Sequence, residues 1–199
     1  MNPVVVITGR GVPLERSDVD TDQIIPSDWL KRVERTGFGA GLFSEWRDDR
    51  TFVLNDDRFV GASILVAGAN FGTGSSREHA VWALLDYGFE AVISSRFADI
   101  FFSNCTKQGL LPVTLPPEVV ARLTDAVKSE PAIEITIDVS RRLVEVPASG
   151  IVATFELDGF TAERFINGWD DIGLTMRHVD ELSAYEAARP AYLPTAGAT

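Results

Sequence analysis

Ala62-Ser63-Ile64-Leu65-Val66-Ala67 is an uncharged, mostly apolar run, and Gly68-Ala69-Asn70-Phe71-Gly72-Thr73-Gly74 follows it directly. The run has the length of a buried strand, and the glycines after it read as a turn. Ser76–Tyr87 then places Val81, Leu84 and Leu85 on one side of a helix, with Gly88 as its stop. The alternation continues. Ala91–Ser95 reads as a strand, Phe97–Gln108 as a helix stopped by Gly109, and Leu110–Leu115 as a strand; the pair Pro116-Pro117 opens a helix that runs to Ser129. Alternating strands and helices predict a layered α/β domain.

Working outward from this stretch, residues 3–7 are mostly β-branched and read as a first strand. Residues 9–26 are polar and turn-rich, with Asp18, Asp20 and Asp22 clustered in them. Trp29–Arg35 reads as one short helix, Thr36–Gly41 with three glycines as a mobile loop, and residues 47–60 as charged and loop-like. On the other side, Ile133–Val139 and Arg142–Val146 read as a hairpin and Ile151–Leu157 as a further strand. Thr161–His178 is partly helical and Asp180–Ala188 is a short polar helix. The Pro-, Ala- and Gly-rich residues from Pro190 read as a loose tail, so the chain is expected to be one domain over 1–199 with that appendage.

The composition, 45% hydrophobic and 24% charged, is that of an ordinary globular protein. The formal net charge of −11 argues against a nucleic acid or an anionic membrane as partner, since both recruit clustered Lys and Arg. The apolar runs are too short to cross a bilayer, and the N-terminus lacks the pattern of a signal peptide. Cys105 is the single cysteine, so no internal disulfide forms, as suits a reducing cytoplasm. One thiolate cannot hold an iron–sulfur cluster, and with only His79 and His178 beside it no metal site is expected on this chain.

The chemistry concentrates in Ala67–His79, where a strand runs through glycines into Ser75-Ser76-Arg77-Glu78-His79. Glycines let a backbone approach a ligand closely. Ser75 three residues before Glu78 matches a capping box, and the free amides of a helix start favour an anion. Arg77 adds a planar fork suited to a carboxylate. A phosphate loop would need a lysine that is absent, a dinucleotide fingerprint would need glycine where Arg77 stands, and a nucleophile elbow is broken by Ser75-Ser76. A carboxylate remains as ligand. On these residues alone a well-capped helix after a tight turn explains the segment equally well.

Gly74-Ser75-Ser76-Arg77-Glu78-His79 resembles the active-site loop of the aconitase superfamily, and Thr21-Asp22-Gln23-Ile24 resembles its Thr-Asp-x-Ile motif. Further segments resemble the bacterial isopropylmalate dehydratase small-subunit family. They are Trp29-Leu30-Lys31 with Arg35–Gly39, Ala80–Leu84, Phe97–Phe101, Leu110–Val113 and Asp171–Thr175, and the likeness covers residues 4 to about 192.

The resemblance implies a swivelling β/β/α domain of the aconitase C-terminal (domain 4) type. It implies a hydro-lyase of leucine biosynthesis that isomerises 2-isopropylmalate and 3-isopropylmalate, active only as a heterodimer. A large subunit would carry the [4Fe–4S] cluster. By motif position Ser75 is the catalytic base and Asp22 the assisting aspartate, while Ser76, Arg77, Gly74 and Thr21 contact substrate. In the loop after Pro26, Leu30 or Val33 would touch an isopropyl group and Lys31 or Arg32 a carboxylate. A related enzyme acting on homoaconitate or a methyl-substituted malate, and a non-catalytic carboxylate-binding module, are the alternatives.

Overall fold

The computed structural model of the chain describes residues 1–31 and 36–189. Its elements are, in order, β1 (Val6–Leu14), α1 (Thr21–Ile24), α2 (Ser44–Arg47), β2 (Ile64–Ala67), α3 (His79–Tyr87), β3 (Ala91–Ser94), α4 (Asp99–Gln108), β4 (Leu111–Thr114) and α5 (Pro117–Ser129). They continue with β5 (Glu134–Asp138), β6 (Leu143–Val146), β7 (Ile151–Thr154), α6 (Gly159–Asn167), α7 (Asp171–Met176) and α8 (Val179–Ala187).

The strands form a seven-stranded sheet in the order β4-β3-β2-β1-β5-β6-β7. β1 to β4 run parallel, and β5 to β7 continue antiparallel from β1. The two halves differ in pattern for a physical reason. β2 and β3 are buried at every residue, as strands covered on both faces must be. β5 and β6 bury alternate residues, because one of their faces meets solvent. Helix α5 begins on Pro117, whose fixed φ suits a first helical turn, and buries Val120, Leu123 and Val127 on one face.

β1 joins the halves. Gly11–Leu14 pairs with β2, and Val6–Arg10 pairs with β5. The expected strand over 3–7 is therefore too short, and part of the supposed turn-rich stretch 9–26 is strand. Gly9, Gly11 and Pro13 hide it. A side chain at Gly11 would meet Val127 at 2.9 Å, so the glycine permits α5 to lie on the sheet. Pairing on the β5 side ends at Arg10, which leaves Pro13 with a ladder on one side only.

Two other expectations are corrected. The helix predicted from Ser76 starts at His79, and Glu78 caps it without a side-chain bond, so the capping box at Ser75 does not form. The predicted mobile loop at Thr36–Gly41 contains a 3₁₀ turn, Phe38–Gly41, with Phe38 fully buried. The Gly39 N–H donates to Asp86 Oδ2 at 2.8 Å, and a side chain at Gly39 would meet the Tyr87 backbone at 2.8 Å. Gly39 serves close packing against α3, and Gly41 close packing against Trp29 and Ile25. The predicted helix at Trp29–Arg35 is a 3₁₀ turn over Ser27–Lys31, and its remaining residues lie outside the described ones, as does the tail from Pro190. The region 47–60 holds two short 3₁₀ turns, Val53–Asn55 and Asp57–Phe59.

Candidate active site

The two motifs lie at the carboxyl ends of β1 and β2, the end of a parallel sheet where ligands bind. After Leu14 the chain crosses to α1. After Ala67 it forms the glycine-rich turn and enters α3. The two segments are stitched together by backbone bonds: Asp18 N–H to Ala69 O at 2.9 Å, Gly72 N–H to Val19 O at 2.8 Å, and Thr21 N–H to Thr73 O at 2.8 Å. An isolated parallel bridge joins Asp20 to Thr73.

The capping box of this site belongs to α1. Asp20 Oδ1 accepts the Gln23 N–H at 2.8 Å, and the Asp20 N–H donates to Gln23 Oε1 at 3.0 Å. The Asp-x-x-Gln spacing carried that signal in the sequence. Capping holds a helix of four residues, too short to persist by itself, in a fixed orientation.

Along the facing turn, Gly72 has φ +80 and Gly74 φ +92, a region that side-chain-bearing residues avoid. A side chain on Gly72 would also land in the Phe101 ring, so Phe101 of α4 forms the floor of the turn. Ser75 is bonded through its backbone and Ser76 through its carbonyl, which accepts from Asn104 Nδ2 at 3.4 Å. Gly74, Ser75 and Ser76 are all exposed. Arg77 N–H closes the turn on Ser75 O at 2.9 Å, and the Arg77 guanidinium pairs with the Asp22 carboxylate.

Ser75, Ser76, Arg77, Gly74, Thr21 and Asp22 are thus brought together. Beside them is a cavity of about 340 Å³ whose lining includes Asp22 and Arg77, Asp20 and Gln23 of the capping box, Pro26 and Ser27, and Glu45 of α2. Leu30 and Lys31 do not line it. Leu30 packs, half-buried, on the core, and the exposed Lys31 pairs with Asp28 at 2.9 Å. Arg32 and Val33 lie outside the described residues. Sequence reasoning passed over Glu45, which no local pattern marks.

His79 packs between Phe38 (ring centroids 5.4 Å) and Trp82 (4.7 Å) at the start of α3. Among the described residues no three His, Cys, Asp or Glu side chains are grouped to hold a metal ion. Cys105 is fully buried, and burial pushes its thiol well above the ordinary range.

Residues 1–118 match the aconitase C-terminal domain family, and residues 171–195 match the C-terminal domain of the 3-isopropylmalate dehydratase small subunit. The 3-isopropylmalate dehydratase small subunit of Parafrankia sp. (strain EAN1pec) is 63% identical over 195 residues, 98% of this chain and 99% of that protein. That of Rubrobacter xylanophilus is 56% identical over 194 residues, 98% of each. The crystal structure of 3-isopropylmalate dehydratase from Methanocaldococcus jannaschii superposes with a TM-score of 0.68 at 28% identity, over 90% of this chain and 99% of that one.

Proposed function

Because this chain belongs to the 3-isopropylmalate dehydratase small subunits of the aconitase superfamily, we propose that it supplies the proton-accepting serine, Ser75, to an active site completed by a large subunit. The enzyme is a hydro-lyase of leucine biosynthesis. It interconverts 2-isopropylmalate and 3-isopropylmalate by removing water and adding it back at the neighbouring carbon. The observation that carries the proposal is the turn Gly74–Arg77: its serines are exposed, its backbone is bonded to Thr21, and its arginine stands beside Asp22.

The chemistry asks for a base at the carbon next to a carboxylate. Ser75 Oγ, as the alkoxide, takes the proton from that carbon, and the electron pair left behind forms the double bond as hydroxide leaves the neighbouring carbon. Addition runs with the two carbons exchanged: hydroxide adds to the carbon that lost the proton, and Ser75 delivers the proton to the carbon that lost the hydroxyl. A serine alkoxide is a strong base and needs positive charge nearby. Arg77 provides it in the same turn, and its fork also grips the substrate carboxylate. Ser76 and the exposed backbone at Gly74 extend the carboxylate site. Asp22 orients the Arg77 guanidinium.

An iron–sulfur cluster does not fit on the described residues, which offer no grouped ligands and a single, buried cysteine. We assign the Lewis acid for the departing hydroxyl to a [4Fe–4S] cluster on the large subunit.

The test is Ser75→Ala in the complex assembled anaerobically with a large subunit. Loss of a general base predicts a fall in kcat of about 10²–10⁴-fold, with the complex intact by size exclusion. Near-normal turnover would remove Ser75 as the base. Preferential turnover of homoaconitate by the unaltered complex would reassign the substrate.

A further inference from the structure

Asp20, which caps α1, and the two residues after it engage in order every second residue of the turn opposite. Asp20 bridges to Thr73, Thr21 bonds Ser75, and Asp22 pairs with Arg77. The middle contact differs in kind. Thr21 is buried, with 1% of its surface exposed, and its hydroxyl donates to and accepts from the same residue. Oγ1 accepts the Ser75 N–H at 3.1 Å and donates to the Ser75 carbonyl at 3.2 Å. The same carbonyl accepts the Arg77 N–H at 2.9 Å. One hydroxyl therefore fixes both peptide groups that set the direction of the Ser75 side chain, and also the turn that carries Arg77.

Gly74 makes the approach possible. Its φ of +92 turns the chain toward α1, and a side chain there would stand 3.4 Å from Thr21 Oγ1 and from Asp20 Cβ. The Thr21 backbone is anchored independently, its N–H on Thr73 O at 2.8 Å and its carbonyl accepting from Ile25 at 3.0 Å. Held at its backbone and buried, the side chain has no donor left for a substrate carboxylate.

We propose that Thr21 is a positioning residue: it touches no substrate and acts by holding the Ser75 backbone so that Oγ faces the reacting carbon. The proposal rests on the reading of Ser75 as the base. Positioning of a reacting group weighs heavily on rate, since a misplacement of about 1 Å costs on the order of 100-fold. Binding contacts that Thr21 does not make are left alone.

The experiment compares Thr21→Val, which keeps the shape and removes the hydroxyl, with Thr21→Ser, which keeps the hydroxyl. Both are measured in the complex with a large subunit, with kcat expressed per mole of complex isolated by size exclusion, and Ser75→Ala is run alongside. Thr21→Val is expected to lower kcat roughly 10- to 100-fold with KM for 2-isopropylmalate within about threefold of the parent. Thr21→Ser is expected to restore most of kcat. A raised KM at unchanged kcat would make Thr21 a substrate ligand and overturn the proposal. It is equally overturned if Thr21→Val keeps kcat within twofold, if Thr21→Ser is as impaired as Thr21→Val, or if Thr21→Val forms no complex, which would make its role one of folding. Full turnover by Ser75→Ala would instead sink the assignment of the base, an outcome separable from all of these.

Discussion

Arg77 keeps 28% of its side chain exposed while one edge of its guanidinium meets Asp22. A planar group with five donors can serve an internal carboxylate and a substrate carboxylate together, whereas a lysine ammonium offers a point charge without the fork. Arg77→Lys is therefore expected to raise KM for 2-isopropylmalate roughly 10- to 100-fold, the equivalent of one charge-assisted hydrogen bond, with a smaller change in kcat. Steady-state kinetics on the assembled complex reads both. At Gly72 the constraint is steric. Its φ of +80 and the Phe101 ring against it leave no room for a methyl group. Gly72→Ala is expected to lower unfolding stability by about 1–3 kcal/mol, measurable in urea, because either the turn or Phe101 must shift. At this scale residue type in the sequence singled out two serines, an arginine and an aspartate, which the structure brings together. It said little about Thr21, because whether a hydroxyl faces a ligand or a neighbouring backbone depends on a partner 54 residues away.

Among the elements, the helices carry their stops and starts in the chain itself. Gly88 and Gly109 end α3 and α4 where expected, and Pro117 opens α5. The start of α3 was misread, since Ser75 with Glu78 has the spacing of a capping box but Ser75 is drawn away to Thr21. Tertiary bonding overrides a local motif there. Helices α6 and α7 are capped by aspartates. Asp158 Oδ1 accepts from Thr161 N–H at 2.9 Å at the start of α6, and Asp170 Oδ1 accepts from Gly173 N–H at 2.7 Å at the start of α7. Hydrogen bonds from Thr161 hold the Asp158 carboxyl below its ordinary range, and the Gly173 amide does the same for Asp170. Folding thus favours their ionised form. Their contribution is complete above the unfolded value, near 3.8, and is lost as pH falls through the lower folded values. Thermal melts should show Tm falling as pH drops below about 4, and Asp158→Ala, which costs roughly 1 kcal/mol at neutral pH, should narrow that fall. An unaltered pH dependence in the variant would show that the cap contributes nothing.

In the molecule as a whole, β1 sets the arrangement. It is the strand on which a parallel half and an antiparallel half meet, and its carboxyl end delivers Asp20–Asp22 to the glycine-rich turn. The parallel half was legible because strands buried on both faces read as continuous apolar runs, as Ile64–Ala67 and Ala91–Ser94 do. The antiparallel half was legible from alternation in Glu134–Asp138 and Leu143–Val146. The join between them was not, since Gly11 and Pro13 are chosen by the packing of α5 and by one-sided pairing. The site faces outward from this framework, with Gly74, Ser75 and Ser76 exposed and Arg77 beside an open cavity of about 340 Å³. An outward-facing serine turn on a chain with one buried cysteine suits an enzyme divided between two polypeptides.

That division is tested most directly by titrating a cluster-loaded large subunit, under anaerobic conditions, into a fixed amount of this chain and following formation of 3-isopropylmalate. The account predicts no turnover by either protein alone, a rise that saturates at equimolar large subunit, and a flat line at every ratio when the chain carries Ser75→Ala. Turnover by this chain unaided, or an undiminished rise with Ser75→Ala, would contradict it.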